Sequence, residues 1–340
     1  MKKIALITGI TGQDGYYLAK LLLEKEYEVH GIVRRNSQNS LGNLEYLLNK
    51  EKEQIIIHWG DITDNIFIDT VIKTVQPCEI YHLAAQSFVG FSFENPRFTY
   101  DVNISGTLNV INSVYAYSSH SKLYFAATSE LYGKVQEIPQ KENTPFYPRS
   151  PYGVSKLAGF WTIKNYRESY NLFMSNGILF NHESPMRGPE FVTRKITCAV
   201  AKIYNKLQDC IELGNLNAKR DWGFAGDYVY GMYKILQHDK PNDFVLATNE
   251  THTIKEFVEN SFKVVGISIE WDGNGVNEVG KDANTRKILV KVNPEYFRPA
   301  EVDLLVGDYS KAKRELNWEP KVKFKQLVKM MVEKDLERMV

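Results

Sequence analysis

Tyr152 and Lys156 stand four residues apart, and Thr128-Ser129-Glu130 closes an apolar run, LYFAATSE, upstream of them. On a helix, residues at i and i+4 project from one face. The Lys156 ammonium is therefore expected beside the Tyr152 phenol, where a cation lowers a tyrosine pKa from its ordinary value near about 10. Tyr152 would then act as a base near neutral pH, with Thr128 as a hydroxyl partner and Glu130 as a carboxylate able to take a second proton. Taken alone, Tyr-x-x-x-Lys on most helices is a solvated aromatic beside a solvated cation. The pair gains meaning from the elements that deliver it.

Those elements begin with KIALIT (residues 3–8), a strand-forming run, followed by Gly9-Ile10-Thr11-Gly12-Gln13-Asp14-Gly15 and the helical pattern YYLAKLLLEKEY. Strand, glycine turn and helix together place a helix N-terminus against an anion, and the glycines let the backbone approach a pyrophosphate. The spacing is G-x-x-G-x-x-G. A second strand, Glu28 to Val33, ends in Arg34-Arg35. At this position in a dinucleotide-binding fold an acid would serve the ribose 2′-hydroxyl of NAD, whereas arginine pairs with the 2′-phosphate of NADP. NADP is the expected cofactor, the alternative being two solvated arginines at a strand end. Further strands are expected at 54–59, closed by Gly60-Asp61-Ile62, at 80–85, running into Leu83-Ala84-Ala85-Gln86-Ser87, and at 122–128. Helices are expected at 64–75 and 96–119.

Repeated βα units imply a Rossmann-type, doubly wound parallel sheet with ligands at the carboxyl ends of its strands. Four prolines (Pro139, Pro145, Pro148, Pro151) exclude a regular element before Tyr152 and make a fixed loop that delivers it. Beyond Asn171 a strand (172–180) runs into Asn181-His182-Glu183-Ser184-Pro185-Met186-Arg187-Gly188, a polar stretch suited to the wall of a site. Residues 1–172 are expected to form the NADP-binding domain, and 173–340 a smaller mixed α/β lobe, mainly for substrate and interleaved with the first.

Composition narrows the partners. Forty-two basic and 41 acidic side chains leave a net charge of +1, which offers no footprint for nucleic acid or an anionic membrane. Three scattered cysteines fit neither a disulfide framework nor a zinc site, and no metal is expected. No apolar stretch reaches the roughly 20 residues of a spanning helix, and the start of the chain lacks the apolar core of a secretion signal. A cytoplasmic protein is expected.

With the glycine turn, Thr128 and Tyr-x-x-x-Lys in order, the chain resembles the extended short-chain dehydrogenase/reductases. The runs TGITGQDG, ATSELYGKVQE, PFYPRSPYG, FNHESP, FVTRKIT and YFRPAEVDLL are similar to the GDP-mannose 4,6-dehydratase family over nearly the full length. The resemblance implies that Tyr152 takes the C4 hydroxyl proton, aided by Lys156 and Thr128, that Glu130 removes the C5 proton, and that Ser129 assists departure of the C6 hydroxyl. It implies cofactor contacts at Gly9, Thr11, Gly12, Gln13, Asp14, Gly15, Arg34, Arg35, Asn36, Ser37, Asp61, Ile62, Leu83 to Ser87 (Ala84, Ala85 and Gln86 between them), Phe98, Lys156, His182 and Arg187. GDP contacts would fall to Asn181, Lys195, Asn215, Arg220, Arg298 and Glu301. For His182 a purely structural hydrogen-bonded role stands as the alternative. A homodimer or tetramer is implied, with residues 36–44 reaching a neighbour.

The chain departs from the family pattern at Phe88, Phe98 and Met186, and small residues, Ala158 and Gly159, stand where bulkier aromatics usually follow the lysine. Room for one more hydroxymethyl-sized group keeps a GDP-D-glycero-D-manno-heptose as an alternative substrate of the same chemistry. A non-catalytic NADP-sensing protein is the competing class; such a protein has no use for Glu130.

Overall fold

The structure, a computed structural model, describes residues 2–48, 55–297 and 304–339. Its centre is a seven-stranded sheet built from β1 (Ile4–Thr8), β2 (Glu28–Val33), β3 (Ile55–Trp59), β4 (Glu79–His82), β5 (Lys122–Thr128), β6 (Met174–Leu179) and the strand Asp243–Leu246. The spatial order is Asp243–Leu246, β6, β5, β4, β1, β2, β3, and every neighbouring pair is parallel. Helices cover both faces, which is why the inner strands are apolar on both sides: Ala5, Leu6 and Ile7 of β1 are fully buried in succession. The order reverses between β1 and β4, so the loops after these strands diverge and leave a crevice at their carboxyl ends.

The expected strands and helices of the first half are present, with two differences. The strand expected at 80–85 stops at His82: the Leu83 N–H still reaches the Thr8 carbonyl of β1 at 3.2 Å, but the Thr8 hydroxyl also accepts from Leu83 and Ala84, at 3.2 and 3.1 Å, and the Ala84 N–H goes to that side chain rather than to a strand. The helix expected at 96–119 is interrupted: Pro96–Tyr100 and Gly106–Tyr117 flank a wide π-type turn, Asp101–Ser105. Asn103 in that turn bonds Gln86 through both main-chain groups and also donates to Ser155 at 2.9 Å, so the irregular turn ties the β4 loop to the helix Pro151–Tyr170.

The large sheet does not end at residue 172. It takes β6 and Asp243–Leu246 from the second half, and the helix Ala225–Gln237 packs on its face. The interleaving therefore runs deep, since β6 leaves the sheet at Leu179 to enter the lobe and the chain returns at Asp243. The lobe has its own four-stranded mixed sheet, ordered Ile269–Asp272, Val279–Asp282, Ile288–Val292, Ile211–Leu213. Its core gathers the helices Val192–Tyr204, Ile254–Val264 and Phe324–Glu337 around Trp222 and Phe257. Among the described residues no helix is long and apolar enough to cross a membrane.

Candidate active site

A cavity of about 920 Å³ lies at the carboxyl ends of β1, β4, β5 and β6, between the large sheet and the lobe. Thr128, the last residue of β5, is extended, and its hydroxyl accepts the Glu130 N–H at 3.2 Å. This side-chain cap starts one short turn, Ser129–Leu131, that brings Ser129 and Glu130 to the cavity wall beside Thr128. Opposite, Ser150 caps the helix Pro151–Tyr170 through the Gly153 N–H at 3.0 Å, with Pro151 in the first turn. The first turn of that helix thus aims Tyr152 at the cavity. Thr128, Ser129, Glu130, Tyr152 and Lys156 are all buried and all line it.

Burial pushes the Tyr152 phenol up to about 12, and the neighbouring Thr128 hydroxyl offsets part of that by favouring the ionised form. This corrects the expectation of a phenol lowered by its lysine neighbour. Lys156, at the cavity floor, donates through Nζ to the Ala126 carbonyl at 2.8 Å and lies 4.8 Å from the Phe125 ring centroid, and burial lowers it to about 7. The cation whose charge reaches the phenol and favours its ionised form is Arg187, while Glu130 opposes it. Arg187 is itself ion-paired to buried Glu183 at 3.1 Å and stacked on Phe191 with 3.5 Å between guanidinium carbon and ring centroid.

The glycine turn occupies the other side. Gly9 has φ +73°, and a Cβ there would stand 2.8 Å from the Ala84 nitrogen, so only glycine lets the turn pass so close to the β4 loop. Gly12 precedes the helix Gln13–Glu24 without any side-chain cap, leaving its first-turn N–H groups facing the cavity. An uncapped helix N-terminus, a bare glycine turn and Arg34 at the end of β2 fit a dinucleotide: the N–H groups suit its pyrophosphate and Arg34 a further phosphate.

Of the other expected cofactor contacts, Thr11, Gln13, Asp14, Gly15, Asp61, Ile62, Leu83, Ala84, Ala85, Ser87 and His182 also line the cavity. Arg35, Asn36 and Ser37 are exposed beyond it, where the Asn36 side chain caps its own loop by accepting from Gln38 and Ser40. Gln86 turns inward to Thr99 and Asn103, and Phe98 packs edge-on against Phe91, so neither reaches the cavity. His182 donates to the Phe180 carbonyl at 2.7 Å, binds Asp14 at 2.8 Å and stacks on Tyr228. Burial alone would lower its pKa, but the Asp14 carboxylate outweighs that and raises it. Both its ring nitrogens are thus committed within the protein.

Of the expected GDP contacts, Asn181, Lys195, Asn215 and Arg220 line the lobe side of the cavity. Lys195 lies 3.8 Å above the Tyr296 ring. Arg298 and Glu301 fall outside the described residues. Sequence reasoning missed Glu183, Phe191 and Tyr296, which also form the wall; the FNHESP and FVTRKIT runs held the signal for the first two.

Ala158 and Gly159 do not line the cavity. A Cβ on Gly159 would come within 2.5 Å of the Phe125 ring, so this glycine admits a core aromatic and opens no space for ligand. The enlarged pocket inferred from these two residues is therefore withdrawn. Phe88 does line the cavity, edge-on to Phe191 at 5.9 Å. Met186 faces Arg338, with its sulfur 3.6 Å from Nη2.

The sequence profile described as GDP-mannose 4,6 dehydratase matches residues 6–331. A protein of Homo sapiens named GDP-mannose 4,6 dehydratase is 55% identical over 344 residues, covering 99% of this chain and 92% of its own length. Among solved structures, a UDP-glucose 4-epimerase of Thermotoga maritima superposes with a TM-score of 0.82 at 22% identity, covering 99% of this chain and all of its own. A dTDP-glucose 4,6-dehydratase of Bacillus anthracis, solved with NAD, superposes with a TM-score of 0.80 at 21% identity, covering 99% and 97%.

Proposed function

This chain belongs to the GDP-mannose 4,6-dehydratase family, and from that premise we propose that it converts GDP-mannose to GDP-4-keto-6-deoxymannose, a hydro-lyase reaction that uses bound NADP. The observation that carries the reading is the meeting of Thr128, Ser129, Glu130 and Tyr152 at one wall of a cavity whose opposite wall is the glycine turn.

Tyr152 takes the C4 hydroxyl proton as C4 becomes a ketone, and the Thr128 hydroxyl holds the C4 oxygen. NADP, when bound, supplies the chemistry of accepting a hydride from C4 and returning it to C6, so the sugar is neither oxidised nor reduced overall. The C4 carbonyl acidifies the C5 hydrogen, and Glu130 removes it. Ser129 hydrogen-bonds the departing C6 hydroxyl, which leaves as water. The proton taken by Glu130 departs with the C6 hydroxyl as that water, and Tyr152 then releases the C4 proton to solvent, balancing the one that returns from solvent to C5, and is again the phenolate. Arg187 offsets part of the burial that holds the Tyr152 phenol up, and Lys156 supports the floor through Ala126 and offers its amine to the ribose end of the cofactor.

NADP is preferred over NAD because Arg34 stands at the ribose end of the second strand. On the lobe side, Asn181, Lys195, Asn215 and Arg220 suit the diphosphate and base of a GDP-sugar. The hexose is favoured over the heptose by the names of the relatives; of the small residues that suggested a larger sugar, neither lines the cavity and Gly159 packs against Phe125. We place the protein in the cytoplasm as a homo-oligomer joined in part through residues 36–44. The proposal is tested with Glu130→Gln. Loss of keto-sugar formation by about a hundredfold or more, the scale of a lost acid–base group, with little change in KM for GDP-mannose, is expected. Near-normal turnover would exclude Glu130 as the C5 base.

A further inference from the structure

Arg187 is carried on the turn 184–188, and that turn is gripped from behind the cavity wall. Arg194 Nη1 donates to the carbonyls of Pro185 and Arg187 at 2.8 and 2.9 Å, and Arg338 Nη1 donates to the Pro185 carbonyl at 2.8 Å. Asn43 adds a bond to the Met186 carbonyl at 2.9 Å, and Ser184 donates to Gln13 of the glycine turn at 2.8 Å. Both guanidinium groups converge on one carboxylate, Asp335, which is 1% exposed on the last helix, Phe324–Glu337. Arg194 Nε lies 2.8 and 3.0 Å from its two oxygens and Nη2 2.7 Å from one; Arg338 Nη1 lies at 3.1 Å and the Thr197 hydroxyl at 2.7 Å.

Burying a carboxylate with two arginines costs desolvation that apolar packing would avoid, so helix-to-helix adhesion alone is a poor reason for the cluster. What the cluster adds is direction. A guanidinium fixed on one edge by a carboxylate has its remaining N–H groups aimed by its own planarity, here at the main chain of the turn. Asp335, Arg194 and Arg338 do not themselves line the cavity.

We propose that Asp335 is a positioning residue for the cofactor site: through Arg194 and Arg338 it sets the turn that presents Arg187 and joins it to Gln13, and thereby sets the affinity for the dinucleotide. This rests on the reading of the glycine-turn side of the cavity as an NADP site. A merely structural cluster would lower thermal stability and leave ligand affinity alone.

The test is fluorescence titration of NADPH into the full chain, alongside titration of GDP and a thermal melt, for wild type, Asp335→Asn and Arg338→Met. The second variant removes a group less deeply buried than Asp335, at the end of the helix, and keeps the result readable if Asp335→Asn does not fold. Expected is NADPH binding weakened by about tenfold, the scale on which removal of a supporting partner acts on a bound group, at temperatures where both variants are folded and with GDP affinity nearly unchanged. NADPH affinity within about twofold of wild type in the folded variants, or GDP affinity falling as far as that for NADPH, would overturn the proposal. Absence of NADPH binding by the wild type would overturn the cofactor reading and this proposal with it.

Discussion

Lys156 Nζ donates to the Ala126 carbonyl at 2.8 Å, which fixes the ammonium to the strand that ends in Thr128, while the Tyr152 phenol, one helical turn away, lies by the Thr128 hydroxyl. The two residues share a helix face, but the lysine reaches down into the sheet and the tyrosine reaches out to the cavity. Burial lowers Lys156 to about 7 from its ordinary 10.5.

A stability consequence follows from that lowering. Between about pH 7 and the unfolded value the unfolded chain binds a proton that the folded chain does not, so this residue makes folding less favourable as pH falls through that window. Relative to Lys156→Met, wild type should gain stability as pH rises from about 7.5 to about 9.5, by up to about 1.4 kcal/mol per pH unit. Urea denaturation of both proteins at the two pH values checks this. A difference that is constant with pH would mean that Lys156 stays protonated in the fold.

Arg187 should govern the pH dependence of turnover. Its charge favours the Tyr152 phenolate against the burial that pushes the phenol up to about 12. Only the phenolate can act as base, so activity should rise with pH on the acid limb, and Arg187→Met should move that limb to higher pH. Profiles of kcat against pH for both proteins give the comparison, and an unmoved limb would dissociate Arg187 from Tyr152.

Arg34 should select the cofactor. Pairing with a 2′-phosphate is a charge-assisted bond worth on the order of 1.5–3 kcal/mol, so Arg34→Ala should weaken NADP binding by at least about tenfold and leave NAD nearly unaffected. Equal losses for both cofactors would place Arg34 elsewhere in recognition. Arg35 points away from the cavity, and its alanine variant serves as the control.

The parts of the fold legible in the sequence were those set by local rules. Strand, glycine turn and helix at 4–24, the run from Lys122 to Thr128, and the proline-fixed delivery of Tyr152 all follow from neighbours a few residues apart. The π-type turn at 101–105 was not legible, because its cause is long-range: Asn103 satisfies Gln86 and Ser155 at once. The partner of Lys156 was hidden for the same reason, since i,i+4 spacing fixes a face and says nothing of how deep a side chain reaches. Arg187 approaches Tyr152 only because β6 hands the chain to the turn at 184–188, a tertiary event without a sequence period. Gly159 misled for a different reason: a small residue after the lysine reads as space, whereas here it admits Phe125.

The decisive measurement is turnover of GDP-mannose by the purified chain with NADP in deuterated water, with the product examined by mass spectrometry and proton magnetic resonance. Removal of the C5 proton by Glu130 and its return from solvent should yield GDP-4-keto-6-deoxymannose carrying deuterium at C5, while the hydrogen taken from C4 reappears unexchanged at C6. A keto-sugar without deuterium at C5, or a product that retains its C6 hydroxyl, would contradict elimination across C5 and C6.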